Sequence, residues 1–481
     1  MIQLIKSNTE NWFVLLIMGL ISILLFIAFY QWAYDDPFIS YRYAENLTRG
    51  LGFVYNPGER ILSTTTPLFT TILAVVGLIT PRFHLLATTI GIVSLVLGGL
   101  FIFDIARTLH NPIVGWAGLF LYPTFPLLVS TLGSETPVYL ALCLGAFAFY
   151  ARRNLLFAGI FGVLATLTRP DGILVLAIMA IDYLIRHRKP IPWKPIVISG
   201  GILLIWIAFA WVYFGSPIPV TLAAKQQQGL MSASEPFPQG LLTVASSYNS
   251  WPFMLGLVLA ITGAVFAVWK QRDWLVLLIW PVIYFASYTI LGVSRYFWYY
   301  APLIPGIIAA IGLGLSAINE LINLIPKDKK YIRSLLLIIP GLLLTILFFA
   351  NGMQLRQMST RNDPRLGIYK AVGDWLRENT QPGDRVGSLE IGILGYYAQR
   401  PMVDFAGLIR PEVAEQFSAT TTFQDAAFFA VDEFQPEYLV LQDGMFSHFQ
   451  HVYVNNNCKK VKRFKGKEYA YDFNLTIFEC R

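Results

Sequence analysis

Asp35 and Asp36 stand side by side directly after an apolar run, and a free carboxylate so placed is what a general base needs to take a proton from an attacking hydroxyl. The two are not equivalent. Pro37 suits the first position of a helix and Gly50 its end, which makes Asp36 a natural N-cap. Capping and catalysis are both open to Asp36, whereas Asp35 has no capping duty and is the better candidate base. The same helix would carry Phe38, Tyr41, Arg42 and Glu45 along one side. Farther on, Glu135 in Gly133-Ser134-Glu135-Thr136-Pro137 is either a helix-start charge or a second acidic group of the site. Arg169 in Thr168-Arg169-Pro170-Asp171-Gly172 either holds a substrate anion bidentately or pairs with Asp171 or Glu135. Arg295 opens an aromatic stretch with Tyr296 and Tyr299; an interfacial aromatic belt accounts for the tyrosines but not for the arginine. Lys225 is the lone cation of segment 215–252, a lid or a flexible linker.

The elements that must position these groups are membrane helices. Of 481 residues, 55% are hydrophobic and 14% charged, with mean hydropathy +0.55, which excludes a water-soluble fold. Residues 1–350 hold 21 Lys/Arg and 13 Asp/Glu, and 351–481 hold 15 and 16. A membrane domain (1–350) and a soluble domain (351–481) follow. The excess positive charge sits in the membrane part, where it records topology and not a nucleic-acid partner. Twelve apolar stretches run at 12–30, 65–79, 85–103, 112–131, 136–150, 155–167, 172–185, 196–214, 253–269, 274–291, 300–319 and 334–350. Basic clusters at 152–153, 186–194, 270–272 and 327–333 belong in cytoplasmic loops. With Lys6 also inside, stretch 65–79 cannot cross and lies at the outer interface. About eleven transmembrane helices are expected, with a cytoplasmic N-terminus, a multi-pass place in the cell membrane and an extracytoplasmic C-terminal domain.

The run Asp35-Asp36-Pro37-Phe38-Ile39-Ser40-Tyr41-Arg42-Tyr43-Ala44-Glu45-Asn46-Leu47, then Gly50-Leu51-Gly52, Tyr55-Asn56-Pro57-Gly58-Glu59-Arg60 and Thr66-Pro67-Leu68, resembles the first loop of GT-C glycosyltransferases. The likeness is greatest to the branch containing terminal arabinofuranosyltransferases of mycobacterial cell walls. The elements around Glu135, Arg169-Pro170-Asp171 and Arg295-Tyr296 are similar to others of that branch. The resemblance covers most of the membrane domain in layout and only short pieces in strict motif. It implies a polyprenyl-phosphate-sugar donor entering from the outer leaflet, and a glycan, lipid or protein acceptor. It further implies an acidic pair at the catalytic position and inversion at the sugar carbon. Arg42, Glu135, Arg169, Asp171, Lys225, Arg295, Tyr296 and Tyr299 are the expected substrate-binding residues. The sequence indicates no cofactor: a divalent metal is compatible with it, but no Cys/His cluster has zinc spacing and there is no phosphate-cradling glycine loop.

In the C-terminal domain a helix is expected over 364–379, strands over 385–389 and 438–441, a short helix over 392–397, and two or three antiparallel strands over 451–480, giving a small α/β fold. Cys458 and Cys480 flank that tail, as a disulfide in an oxidising compartment or as two free thiols. Asp404-Phe405-Ala406-Gly407-Leu408 resembles a stretch of related extracytoplasmic domains. A lipid-linked-saccharide flippase is the main rival, but it would keep its ionisable groups near the midplane. A non-catalytic scaffold that binds cell-envelope polymer is the other.

Overall fold

The computed structural model describes residues 9–187, 190–232, 234–361 and 363–480; Lys6 and part of the 186–194 basic cluster lie outside them. Every one of the twelve apolar stretches carries a helix. Among the described residues, seven helices are long and apolar enough to cross a membrane: Asn11–Phe29, Phe83–Thr108, Trp193–Phe214, Trp251–Lys270, Arg272–Leu291, Phe297–Asn323 and Lys330–Ser359. The other four expected crossings are shorter. They are Thr136–Ala151, Leu155–Thr168, Ile173–His187 and a broken element in which Pro112–Leu121 gives way to Pro126–Val129. Pro123 and Pro126 supply no N–H to the helical ladder, and the break falls beside them.

Helix Pro67–Gly77 has 11 residues, about 17 Å at 1.5 Å per residue, against a hydrocarbon core of about 30 Å. Its neighbours fix its role. The Trp32 carbonyl, at the end of the first helix, meets His84 Nε2 at 2.8 Å, near the start of Phe83–Thr108. The chain therefore leaves and re-enters the bundle at one end, with the 67–77 helix on the connection between. At the far end of the same two helices Arg107 donates to Asn11 Oδ1 (3.0 Å), and Arg152 pairs with Asp104. Arg186 pairs with Asp182 and Asp273 (2.6 Å each), and Lys270 with Glu320.

After Ser359 the chain forms a mixed five-stranded sheet: β1 (Val386–Ser388), β2 (Met402–Asp404), β3 (Tyr438–Gln442), β4 (Cys458–Phe464) and β5 (Leu475–Cys480), in the order β2-β1-β3-β5-β4. β1 runs parallel to β2 and β3, while β5 is antiparallel to β3 and β4. Helices Arg365–Asn379 and Gly392–Ala398 appear where expected; β2 and helix Phe423–Phe434 were not read from the sequence. Cys458 and Cys480 face each other across β4 and β5 and form a disulfide. The domain is not a loose appendage. Phe38, Tyr41, Tyr43 and Tyr55 of the first long loop share one apolar core with Ile368, Val372, Ile393 and Leu394.

Candidate active site

Helix Pro37–Thr48 is buried along Pro37 to Asn46, wedged between the bundle and the C-terminal domain. Proline at its first turn sets where it begins. Asp36 precedes that proline with φ −53° and ψ −43° and makes no side-chain capping bond. The capping role expected for it is therefore absent: an αR backbone does not present the side chain to the N2 and N3 amides as the extended backbone of an N-cap does. Its carboxylate instead lines a cavity of 290 Å³ with Glu135, Arg169, Asp171 and Lys225.

Asp35 has the other fate. Its Oδ2 accepts from Gly392 N at 2.9 Å and its Oδ1 from Ile393 N at 2.7 Å, so both oxygens are spent on the C-terminal domain. A methyl at Gly392 would run into Asp35 itself. Asp35, expected to present a free carboxylate, is tied to two backbone amides, whereas no backbone amide binds the carboxylate of Asp36.

Arg169 is 4% exposed and fully engaged. It grips Asp171 through Nε (3.2 Å) and Nη2 (3.0 Å), donates from Nη2 to the Tyr288 hydroxyl oxygen (2.8 Å), and lies 3.6 Å from Glu135 Oε1. Thr168 ends one helix, and Pro170 starts a single 3-10 turn that brings Asp171 back under the guanidinium. This arginine is structurally paired and also borders the cavity. Burial raises the Glu135 carboxyl above the ordinary carboxylate range, and Arg169 opposes that rise. Lys225 Nζ reaches the cavity from the 220–230 helix, 4.0 Å from Asp36 Oδ1 and 4.6, 5.5 and 5.3 Å from the ring centres of Tyr296, Trp298 and Tyr299. These rings attract the ammonium where few waters compete.

Two expected binding residues stand elsewhere. Arg42 donates to the carbonyls of Tyr55 (2.9 Å), Gly395 (2.7 Å) and Arg400 (2.6 Å) and lies over the Tyr55 ring; it joins two domains and has no place in the cavity wall. Arg295 pairs with Glu235 at 2.7 Å and is not among the cavity-lining residues. Tyr299 lines the cavity, while Tyr296 acts behind it through Lys225. Sequence reading missed the hydroxyl wall of Ser40, Ser63, Thr64, Thr65 and Thr66, and with it Tyr288 and Trp298. The Ser63-Thr64-Thr65-Thr66 run was the available signal, and it read only as the opening of the 67–77 helix. Among the described residues no three His, Cys, Asp or Glu side chains come together as a metal-ligand set.

With this geometry in place, solved structures supply the comparison. ArnT from Cupriavidus metallidurans superposes with TM-score 0.65 over 98% of both chains at 14% identity in the apo state, and equally at 12% identity when bound to undecaprenyl phosphate. This chain has the GT-C fold. The Archaeoglobus fulgidus oligosaccharyltransferase, solved with Zn and sulfate, matches over 90% of this chain and 68% of its own with TM-score 0.58 and 16% identity. Among curated proteins, the terminal beta-(1->2)-arabinofuranosyltransferase of Mycobacterium tuberculosis is 26% identical over 50% of this chain and 42% of that protein. The chain thus spans less than half the length of that curated relative. A family model described as a domain of unknown function, DUF8728, matches residues 353–478, the C-terminal part of this chain.

Proposed function

We propose that this protein is an inverting glycosyltransferase that moves a pentose or hexose from a polyprenyl phosphate to an acceptor hydroxyl. The acceptor is a cell-envelope glycan, a glycolipid or a protein. One observation carries the reading: a cavity at one end of the bundle gathers Asp36, whose carboxylate no backbone amide binds and which Lys225 approaches to 4.0 Å, with Arg169 and a wall of hydroxyls. Asp36 takes the acceptor proton as the acceptor oxygen bonds to the sugar C1. The C1–O bond to phosphate breaks on the opposite face, and its electron pair leaves with the lipid phosphate. Lys225 and Arg169 lie where that negative charge grows. The hydroxyl wall suits sugar hydroxyls, and Ile173 and Leu291, both exposed on the apolar perimeter, border the same cavity where a prenyl chain would leave it.

The cavity and the C-terminal domain lie on the extracytoplasmic side in this proposal. Arg107, Arg152, Arg186 and Lys270 at the other end support that orientation. The ArnT bound to undecaprenyl phosphate supports a lipid phosphate as donor group, and the arabinofuranosyltransferase relative puts a pentose first among the sugars to try. Incubating the purified protein with a panel of polyprenyl-phosphate sugars, arabinofuranosyl included, tests the reading. Release of bare lipid phosphate with sugar gained by an acceptor is expected. Binding without release across the panel would overturn it.

A further inference from the structure

Helix Val220–Leu230 carries Lys225, and Thr221 and Gln228, at i−4 and i+3 on the same face, reach the C-terminal domain. Ala224 and Met231, seven residues apart, are buried in the same apolar core as Val403, Phe405, Val413 and Ala414. Between them Gln228, 4% exposed, donates from Nε2 to the Ala406 carbonyl (2.7 Å) and accepts the Tyr296 hydroxyl on Oε1 (3.0 Å). At the head of the helix the Thr221 hydroxyl lies against the carbonyls of Ser63 and Leu408, 3.2 Å from the latter, and Val220 N donates to the Leu62 carbonyl at 2.9 Å.

The two C-terminal-domain carbonyls belong to one turn, and Asp404 shapes it. This fully buried carboxylate accepts from Ala406 N (2.8 Å), Leu408 N (2.5 Å) and Ile409 N (3.1 Å). Gly407 takes φ +75° in the same turn, and a methyl there would meet the Ala414 backbone. Leu408 itself borders the cavity. A merely decorative cap would need none of this.

We infer that the 404–409 turn of the C-terminal domain is a positioning element of the cavity: Asp404 fixes the Ala406 and Leu408 carbonyls, which through Gln228 and Thr221 hold Lys225 against Asp36 and the Tyr296, Trp298 and Tyr299 rings. This gives the domain of unknown function a duty, and it deepens the glycosyltransferase reading on which the phosphate-binding role of Lys225 rests. Lys225 touches substrate in that reading; Gln228 and Asp404 act only through it.

The test uses the full chain and two readouts. The first is the affinity for undecaprenyl phosphate. Gln228→Ala weakens it by roughly tenfold, the scale of one misplaced charge-assisted contact, and in a Lys225→Met background the same change costs nothing more, because two residues acting through one ammonium do not add. The second needs no activity. A Lys225→Cys thiol reacts slowly with a charged thiol reagent and several-fold faster once Gln228→Ala or Asp404→Asn is added. Gln228→Ala carries the test should Asp404→Asn fail to fold. Additive losses, or labelling unmoved by Gln228→Ala, would overturn the inference. If the wild type fails to bind the lipid phosphate, the transferase reading fails while the labelling still decides the positioning claim.

Discussion

The two faces of segment 31–64 spend the same kinds of residue on opposite tasks. Toward the bundle, Asp36 and Ser40 border an open cavity. Toward the C-terminal domain, Asp35, Arg42, Tyr55 and Asn56 have their polar atoms consumed by backbone groups of Ile391 to Met402: the Tyr55 hydroxyl donates to the Ile391 carbonyl at 2.6 Å, and Asn56 accepts from Met402 N at 2.9 Å while donating to its carbonyl at 3.0 Å. A buried polar group costs free energy unless paired, and these four side chains find their partners across the joint. The cavity face keeps a carboxylate free of backbone donors. In the proposed mechanism that asymmetry separates a residue that reacts from one that holds, although the two are neighbours in sequence.

The largest expected effect breaks the comparison at its centre. Asp36→Asn keeps size and polarity but removes the basic lone pair, so turnover should fall about 10³-fold while thermal stability stays within a degree or so. Full turnover in this variant, measured as lipid phosphate released, would show that the cavity face does not supply the base. The disulfide comes next. Replacing Cys458 and Cys480 by serine should cost on the order of 3 kcal/mol of domain stability in the chain-entropy model, read as a lower midpoint in chemical denaturation of the soluble part of the signal. An unchanged midpoint would mean that β4 and β5 hold without it.

Asp35→Asn probes the joint face. Its amide can still accept from one of the Gly392 and Ile393 amides but not from both, so about 2 kcal/mol of docking stability should go. Proteolysis at the domain junction should speed up, and turnover by the surviving folded protein should remain within a few-fold of wild type. A stable but inactive Asp35→Asn would return the base to Asp35 and reverse the comparison.

How much of this was legible follows from where the information resides. The helices and the α/β character of the tail were readable because hydropathy and turn residues are local signals. Glu135, Arg169, Asp171 and Lys225 could be singled out from short local motifs and a lone loop cation, and all four line the cavity. The duties of Asp35 and Asp36 were not. They depend on residues 392 and 393, more than 350 positions away, whose amides take the first carboxylate and leave the second. Arg42 failed for the same reason, since its carbonyl partners at 395 and 400 carry no side-chain signature. β2 was missed because three residues between Pro401 and Phe405 offer too short a pattern.

Arg295 gives the smallest and sharpest contrast, because sequence made it the equal of Arg169 and structure does not. Arg169 is 4% exposed amid Asp171, Tyr288 and Glu135, whereas the Arg295 side chain is 40% exposed and pairs with the 35% exposed Glu235. Solvent screens an exposed pair, so Arg295→Ala should cost under about 1 kcal/mol of stability. Its Nε holds the 235 strap to Ser294-Arg295, and the backbone bond from Arg295 N to the Glu235 carbonyl, 2.9 Å, survives the substitution. Affinity for undecaprenyl phosphate should therefore change less than twofold, while Arg169→Gln, which removes a buried charge from three partners, should weaken it well beyond tenfold. Isothermal titration of both variants at one salt concentration checks the pair of expectations. If Arg295→Ala loses affinity as heavily as Arg169→Gln, the arginine leaves Glu235 for the lipid phosphate when donor binds, and the cavity extends past Tyr296 to include it.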